Sequence, residues 1–333
     1  MVKFWGRGEL RRLIVSKPIE HGGTLTALRA AYPDAPTPWL DLSTGINPEP
    51  YPLPSLPPDC FARLPEPADA RALEAAAALA YGVADPARVV AAPGTELLID
   101  LLPRLFPATA VHVVGPTYAE HANAWMRAGS TLVRRDAATT CVLCNPNNPN
   151  GLRQSPGMLL ELADRYDTLV VDEAFADLED PPLGVAAHEH PALIVLRSFG
   201  KTYGLAGVRL GFAIASRARA TIIRDALGPW AVSGPAIAIG RAALLDREWL
   251  AATRNRLTLQ GRQLDRVLIE AGLRGLGGTR LFRLTDTPDA WAVHHRLAQR
   301  GIAVRRFAEH PTWLRFGQPG DGMARLRDAL SPG

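Results

Sequence analysis

The feature that most constrains this 333-residue chain is an alternation of short apolar runs with segments of helical character. "RVVAA" (88–92) precedes "TELLIDLLPRLF", and "AVHVVG" (110–115) precedes "TYAEHANAWMRAG". "TCVLC" (140–144) leads through a Pro/Asn loop to "PGMLLELADRY". "TLVVDEAF" (168–175), "ALIVLRSF" (192–199) and "VRLGFAIAS" (208–216) follow. A strand with one wet face alternates apolar and polar residues, whereas a strand covered on both faces reads as a continuous apolar run. Such strands separated by helices imply an α/β fold with a mostly parallel sheet between two helical layers. Ligands of such sheets bind beyond the carboxyl ends of the strands.

The flanking regions differ in style. Residues 1–40 are irregular, and "INPEPYPLPSLPPD" (46–59) is too proline-rich for a helix or a central strand. "ADARALEAAAALAYG" (68–82) predicts a helix with Asp69 in its first turn and Gly82 at its end. Beyond about residue 230 a long helical stretch (235–272) leads into short strands and further helices, the pattern of a smaller α+β domain. The expected division is therefore 1–40, a large domain over 41–230, and a small one over 231–333.

Several functions are disfavoured. The net charge is +4 and the pI about 9.2, but the arginines are scattered, with Arg11–Arg12, Arg134–Arg135 and Arg305–Arg306 the densest spots. A nucleic-acid binder should show a basic run or a stacking platform. "LIV" (13–15) is too short for a secretory h-region, and no run reaches the roughly 18 apolar residues of a membrane span. Three cysteines cannot build a disulfide framework, so a cytoplasmic location is the default expectation. Cys141 and Cys144 have redox or zinc spacing, but they lie in a strand pattern, where positions three apart face opposite ways. No second pair completes a zinc site, and His188, His190, His294 and His295 lack partners at metal spacing, so no metal is expected. No G-x-G-x-x-G follows a strand, which leaves a nicotinamide site without support.

The chemistry starts from a lysine. Of 37 basic residues only Lys3, Lys17 and Lys201 are lysines, and the other 34 are arginines. Only an ammonium can lose its proton in a protein and condense with a carbonyl. Lys201 stands in "SFGKTYGLAGVRLG" (198–211), three residues after Ser198 and eight before Arg209. "VVDEAF" ends an apolar run in Asp172–Glu173, and a buried carboxylate there needs a partner. "NPNNPNG" (145–151) is a rigid turn rich in amides. An amine for an aldehyde, a carboxylate for a ring nitrogen, an amide for a phenolic oxygen, and a hydroxyl and Arg for a phosphate together describe a pyridoxal-phosphate site.

In order and spacing these motifs resemble the class I/II aminotransferases of pyridoxal-phosphate fold type I. The likeness is to the branch holding histidinol-phosphate aminotransferases and threonine-phosphate decarboxylases, and it runs collinearly from about residue 21 to the C-terminus. The resemblance implies a seven-stranded large-domain sheet, a small C-terminal domain with the N-terminal arm packed on it, and a homodimer with the active site near the interface. It implies that Lys201 condenses with the cofactor aldehyde, helped by desolvation and by the charge of Arg209. Asp172 would pair with the ring nitrogen, Asn148 with the ring's 3-oxygen, and Tyr118 would stack on the ring face. Gly94 and Thr95 would open a helix on the cofactor phosphate, joined by Ser198 and Arg209. Arg315 would clamp the substrate carboxylate, and Arg305 would face a substrate phosphate.

Three positions depart from the family pattern. Gly200 stands where relatives often carry a serine on the cofactor phosphate. Leu64 replaces a Tyr that reaches across the dimer, and Phe175 replaces the Tyr of "DEAY". The segment between Tyr118 and Asn145 is also short. "EHGG" (20–23), "DLSTGINP" (41–48) and "GPWAVSGPA" (228–236, with Trp230) resemble the decarboxylases of cobalamin biosynthesis. That likeness implies that His21, Gly22, Gly23 and Asn47 lie at the substrate. The implied reaction is decarboxylation of L-threonine O-3-phosphate to (R)-1-aminopropan-2-yl phosphate. Alternatives are transamination of histidinol phosphate and a non-catalytic regulatory module, the latter disfavoured because Lys201, Asp172 and Arg315 are all present.

Overall fold

The computed structural model describes residues 22–180 and 184–331. Among the described residues, twelve strands form two sheets. In chain order they are β1 (Leu40–Leu42), β2 (Val89–Ala92), β3 (Ala110–Val113), β4 (Thr131–Leu132), β5 (Thr140–Cys144) and β6 (Thr168–Asp172). Then come β7 (Leu193–Ser198), β8 (Gly211–Ala215), β9 (Arg274–Thr279), β10 (Phe282–Asp286), β11 (Ile302–Arg306) and β12 (Trp313–Gly317). The large sheet has the order β2-β8-β7-β6-β5-β3-β4. All its pairings are parallel except those of β8, which runs against both β2 and β7.

The continuous apolar runs now have their cause. Val142, Val170, Ile194 and Leu196 point to one face, under the helices Thr95–Leu105, Ala119–Arg127 and Arg217–Leu227. Leu143, Leu169, Val171 and Val195 point to the other, under Pro67–Tyr81 and Gly234–Leu245. Every residue of β5, β6 and β7 is buried, so both side-chain sets of each strand are apolar except near the ends, where Thr140, Thr168, Asp172, Arg197 and Ser198 stand. Gly82 caps its helix in the left-handed conformation, at φ 70°.

The smaller sheet has the order β1-β11-β12-β10-β9. It packs on the helices Arg247–Glu270, Ala290–Gln299 and Met323–Leu330 around Leu264, Leu297, Leu314, Phe316 and Leu326. Packing differs from the expected domain limits at both ends. The limit at 40/41 falls inside β1, which pairs parallel with β11 of the small sheet. The long helical stretch after 230 is two helices, not one. It breaks at Asp246, whose carboxylate accepts the amide of Trp249 and starts the second helix. Helix Gly234–Leu245 buries Ile237 and Ala243 in the core of the large sheet, and Trp249 beyond it packs against the same core. A hydrophobic pattern shows that a helix is buried but not against which sheet. Among the described residues no helix is long and apolar enough to cross a membrane.

Candidate active site

The carboxyl ends of β5, β6 and β7 lie side by side, with Cys144 opposite Asp172 and Asp172 opposite Leu196. A cavity of about 500 Å³ opens there, a size suited to a small-molecule ligand. Gly22, Gly94, Thr95, Tyr118, Asn148, Asp172, Ser198, Lys201, Arg209 and Arg315 all line it. These residues span nearly 300 positions of sequence, and the topology brings them to one place. Gly23, Asn47 and Arg305 do not line it, and His21 lies outside the described residues. Asn47 is buried, with its amide donating to the Thr202 carbonyl at 3.0 Å and accepting from the Glu49 amide at 3.1 Å. It fastens its loop to the turn bearing Lys201, whose carbonyl accepts the Asn47 N–H.

Lys201 donates to Ser198 Oγ at 3.2 Å and lies 5.3 Å from the centroid of the Phe175 ring. Burial lowers its pKa, although the Asp172 charge works the other way. The cation that helps lower it is Arg315, the part that sequence reasoning assigned to Arg209. The phenyl ring of Phe175 packs edge-on to Phe282 at 5.1 Å, so this wall of the cavity is apolar where a Tyr would offer a hydroxyl.

Asp172 is buried and held from several sides. Oδ1 accepts the Ala174 amide at 3.0 Å, and Oδ2 meets His121 Nε2 at 3.0 Å and Cys144 Sγ at 3.8 Å. Burial alone would raise its pKa; His121 and Lys201 outweigh that and bring it below the usual carboxylate range. Burial alone would depress the His121 imidazolium, but Cys144 and Asp172 lift it to about 10. Sequence reasoning missed His121. Its signal was its place three residues after Tyr118 at the start of helix Ala119–Arg127, which puts both on one face. It also set Cys144 aside, yet His121, Cys144 and Asp172 bring donor atoms within 4.8 Å of one another. Tyr118 donates to Glu96 at 2.9 Å, a second contact that no spacing announced.

Helix Thr95–Leu105 opens onto the cavity with Gly94 and Thr95. Its N-cap, Gly94, has φ 93°, and a Cβ there would come 2.6 Å from Arg209 Nη2. Arg209 itself adopts φ 54°, unusual for a non-glycine residue, and Arg209 Nη1 donates to the Ala206 carbonyl at 3.1 Å. Gly200 is a consequence of the same tight turn, because a Cβ at 200 would lie 2.6 Å from Ala206 Cα. The missing serine hydroxyl is thus excluded by backbone packing. Leu64 is 64% exposed and stands away from the cavity.

Arg315, on β12, is 7% exposed. Its guanidinium donates to Asn148 Oδ1 and, at 2.8 Å, to the Ser43 carbonyl. Its Nε is buried without a hydrogen-bond partner, and among the described residues it makes no ion pair. Burial and the charge of Arg305, its partner across β11 and β12, depress its pKa to about 10. Such a site wants an anion.

Fold and donor set together define a pyridoxal-phosphate enzyme of fold type I. A buried lysine of lowered pKa, a paired buried carboxylate and a glycine-opened helix N-terminus beside an arginine fit the aldehyde, ring nitrogen and phosphate of that cofactor. The chain belongs to the aminotransferase class I and II family, whose model matches residues 134–330. It is 44% identical to a threonine-phosphate decarboxylase of Sinorhizobium sp, over 95% of this chain and 99% of that protein. It is 42% identical to a threonine-phosphate decarboxylase of Pseudomonas aeruginosa, over 94% and 97% of the two chains. Among solved structures, the histidinol-phosphate aminotransferase of Sinorhizobium meliloti in complex with pyridoxal-5'-phosphate aligns with a TM-score of 0.78 at 21% identity. That alignment covers 91% of this chain and 92% of the other.

Proposed function

We propose that this protein removes CO2 from L-threonine O-3-phosphate to form (R)-1-aminopropan-2-yl phosphate, a step of cobalamin biosynthesis. The observation that carries the reading is the similarity to threonine-phosphate decarboxylases over almost the whole of both chains. Lys201, Asp172, Asn148, Tyr118, Thr95, Gly94, Ser198 and Arg209 would hold the cofactor. When bound, its protonated ring supplies a sink for the electron pair left on Cα as the carboxylate leaves. Asp172, kept ionised by His121, holds the proton on the ring nitrogen. Asn148 accepts from Arg315 through Oδ1, which leaves its NH2 as the donor to the ring's 3-oxygen. Tyr118, held by its hydrogen bond to Glu96, would pack against the ring. Arg315 orients the substrate carboxylate, and its loss as CO2 needs a proton returned at Cα. Lys201 Nζ, whose lowered pKa makes its ammonium a stronger acid than a solvated lysine, is the group to hold and deliver that proton. Arg305 and the segment that includes His21 would take the substrate phosphate.

Product analysis tests the reading. The purified protein with pyridoxal phosphate should release CO2 from L-threonine O-3-phosphate. Glutamate-dependent amination of imidazole-acetol phosphate without CO2 release would instead make it a histidinol-phosphate aminotransferase. Lys201→Ala should cost on the order of 10³-fold or more in turnover and abolish the absorbance band of the lysine-bound cofactor. The reading includes a cytoplasmic homodimer. Leu53, Phe61, Leu64 and Trp230 expose large apolar side chains of the kind a second copy would cover, and light scattering on the holoenzyme should give twice the chain mass.

A further inference from the structure

Between the Gly22–Gly23 segment and the cavity arginine Arg315 lies one small side chain of the "DLSTGINP" stretch. Ser43 follows the end of β1 and is 6% exposed. Its hydroxyl donates to Asp41 Oδ1 at 2.5 Å and accepts the Gly23 amide at 2.8 Å. Its own amide also donates to Asp41 Oδ1, at 2.9 Å. Its carbonyl accepts from Arg315 Nη2 at 2.8 Å. Gly22 packs directly on that carbonyl, so closely that a Cβ would collide with it. Asp41 therefore locks the rotor and backbone of one residue, and that residue touches the glycine pair on one side and the cavity arginine on the other.

A hydroxyl that donates to a carboxylate turns its lone pairs outward, where they can accept. This fixes the direction of the Gly23 amide, and Gly23 has φ 86°, a conformation suited to glycine. We infer that Ser43, clamped by Asp41, is a positioning residue that holds the Gly22–Gly23 segment in register with Arg315. It thereby sets the distance between the site's grip on the substrate carboxylate and its grip on the far, phosphorylated end. The inference rests on the proposed substrate and deepens it: length selection among phosphorylated amino acids would be set at Ser43. Ser43 also lines the cavity, but its hydroxyl is committed to Asp41 and Gly23 and its carbonyl to Arg315.

The test uses the holoenzyme and the variants Ser43→Ala and Ser43→Thr. Ser43→Ala should raise KM for L-threonine O-3-phosphate about fivefold, the loss of one charge-assisted hydrogen bond through the segment. It should leave kcat within about twofold and the affinity for pyridoxal phosphate unchanged. Ser43→Thr, which keeps the hydroxyl, should restore KM. Hydrogen exchange gives a readout independent of turnover, with the Gly23 amide losing protection in Ser43→Ala and keeping it in Ser43→Thr. Unchanged KM and unchanged Gly23 exchange in Ser43→Ala would overturn the inference. So would a fall in kcat and cofactor affinity together, the mark of general structural damage. Failure of the proposed reaction is distinguishable, because then the unsubstituted enzyme itself releases no CO2 while the Gly23 exchange difference persists.

Discussion

The two walls of the cavity treat buried charge in opposite ways. On the large-domain wall each buried ion has partners. Asp172 has His121 and Lys201. Beneath it, Arg197 binds Glu173 at 2.8 Å and Asp177 at 2.6 Å, and lies 4.7 Å from the Tyr81 ring centroid. On the small-domain wall, Arg315 has two neutral oxygens and a like-charged residue opposite it across the sheet. The first wall is balanced before anything binds, as a seat for a resident cofactor should be. The second is left electrically incomplete, which suits a site that must take up an anionic substrate and release a neutral gas. The buried trio also reaches the chemistry through the chain itself: Glu173 follows Asp172, and Arg197 precedes Ser198.

The contrast can be broken by making one chemical change on each wall. Arg197→Met should cost about 3–5 kcal/mol, because it leaves Glu173 and Asp177 buried without their cation. Burial already raises both carboxyl pKa values against the pull of Arg197. Urea unfolding of the holoenzyme checks this, and a loss below about 1 kcal/mol would mean the wall is not balanced as described.

Gly200→Ser comes next. It places the serine of related enzymes against Ala206 Cα and should lose about 1–3 kcal/mol by overpacking. Tighter cofactor binding in that variant would show that the turn yields and that the hydroxyl was simply lost.

A pH effect belongs to the His121–Asp172 pair. The carboxyl is lowered, so its stabilisation is present above the ordinary value of 3.8 and lost as pH falls through the depressed one. The imidazole is raised to about 10, so its stabilisation is whole below 6.5 and lost as pH rises through about 10. Both limbs describe one coupled pair and count once. Cofactor-free protein should therefore lose stability between pH 6.5 and 10, and His121→Phe should flatten that limb.

The smallest stability effect is expected at Arg315. Arg315→Met should change unfolding free energy by less than about 1 kcal/mol, since it removes a buried cation that has no direct ion pair and only the Coulombic pull of Asp41. It should still raise KM tenfold to about 100-fold. Equal destabilisation by Arg197→Met and Arg315→Met would erase the distinction between the walls.

Much of the site was legible because its chemistry demands particular residue types. Lys201 stood out in a chain that otherwise writes positive charge as arginine, and Asp172 stood out as an acid ending an apolar strand. Asn148 sat in the loop after β5, Ser198 ended β7 and Arg209 stood just before β8, at the sheet edge where α/β folds bind ligands. His121 and Glu96 were harder to see, because each acts on a neighbouring functional group through one hydrogen bond and carries no motif of its own. Ser43 was harder still, since a serine in a loop is ordinary until its four partners are known. Asn47 looked like a ligand contact, and packing turned it into a loop anchor.

The sequence by itself determined the parallel sheet, through runs apolar on both faces, and the class of cofactor, through a lysine, carboxylate and amide in a recognisable order. Tertiary structure decided which sheet claims β1 and which core claims helix Gly234–Leu245, because hydrophobicity has no direction and cannot name its partner. It also decided the state of each charge. Whether a buried arginine is paired directly with acids, as Arg197 is, or only feels Asp41 at a distance, as Arg315 does, depends on neighbours close in space and many residues away in the chain.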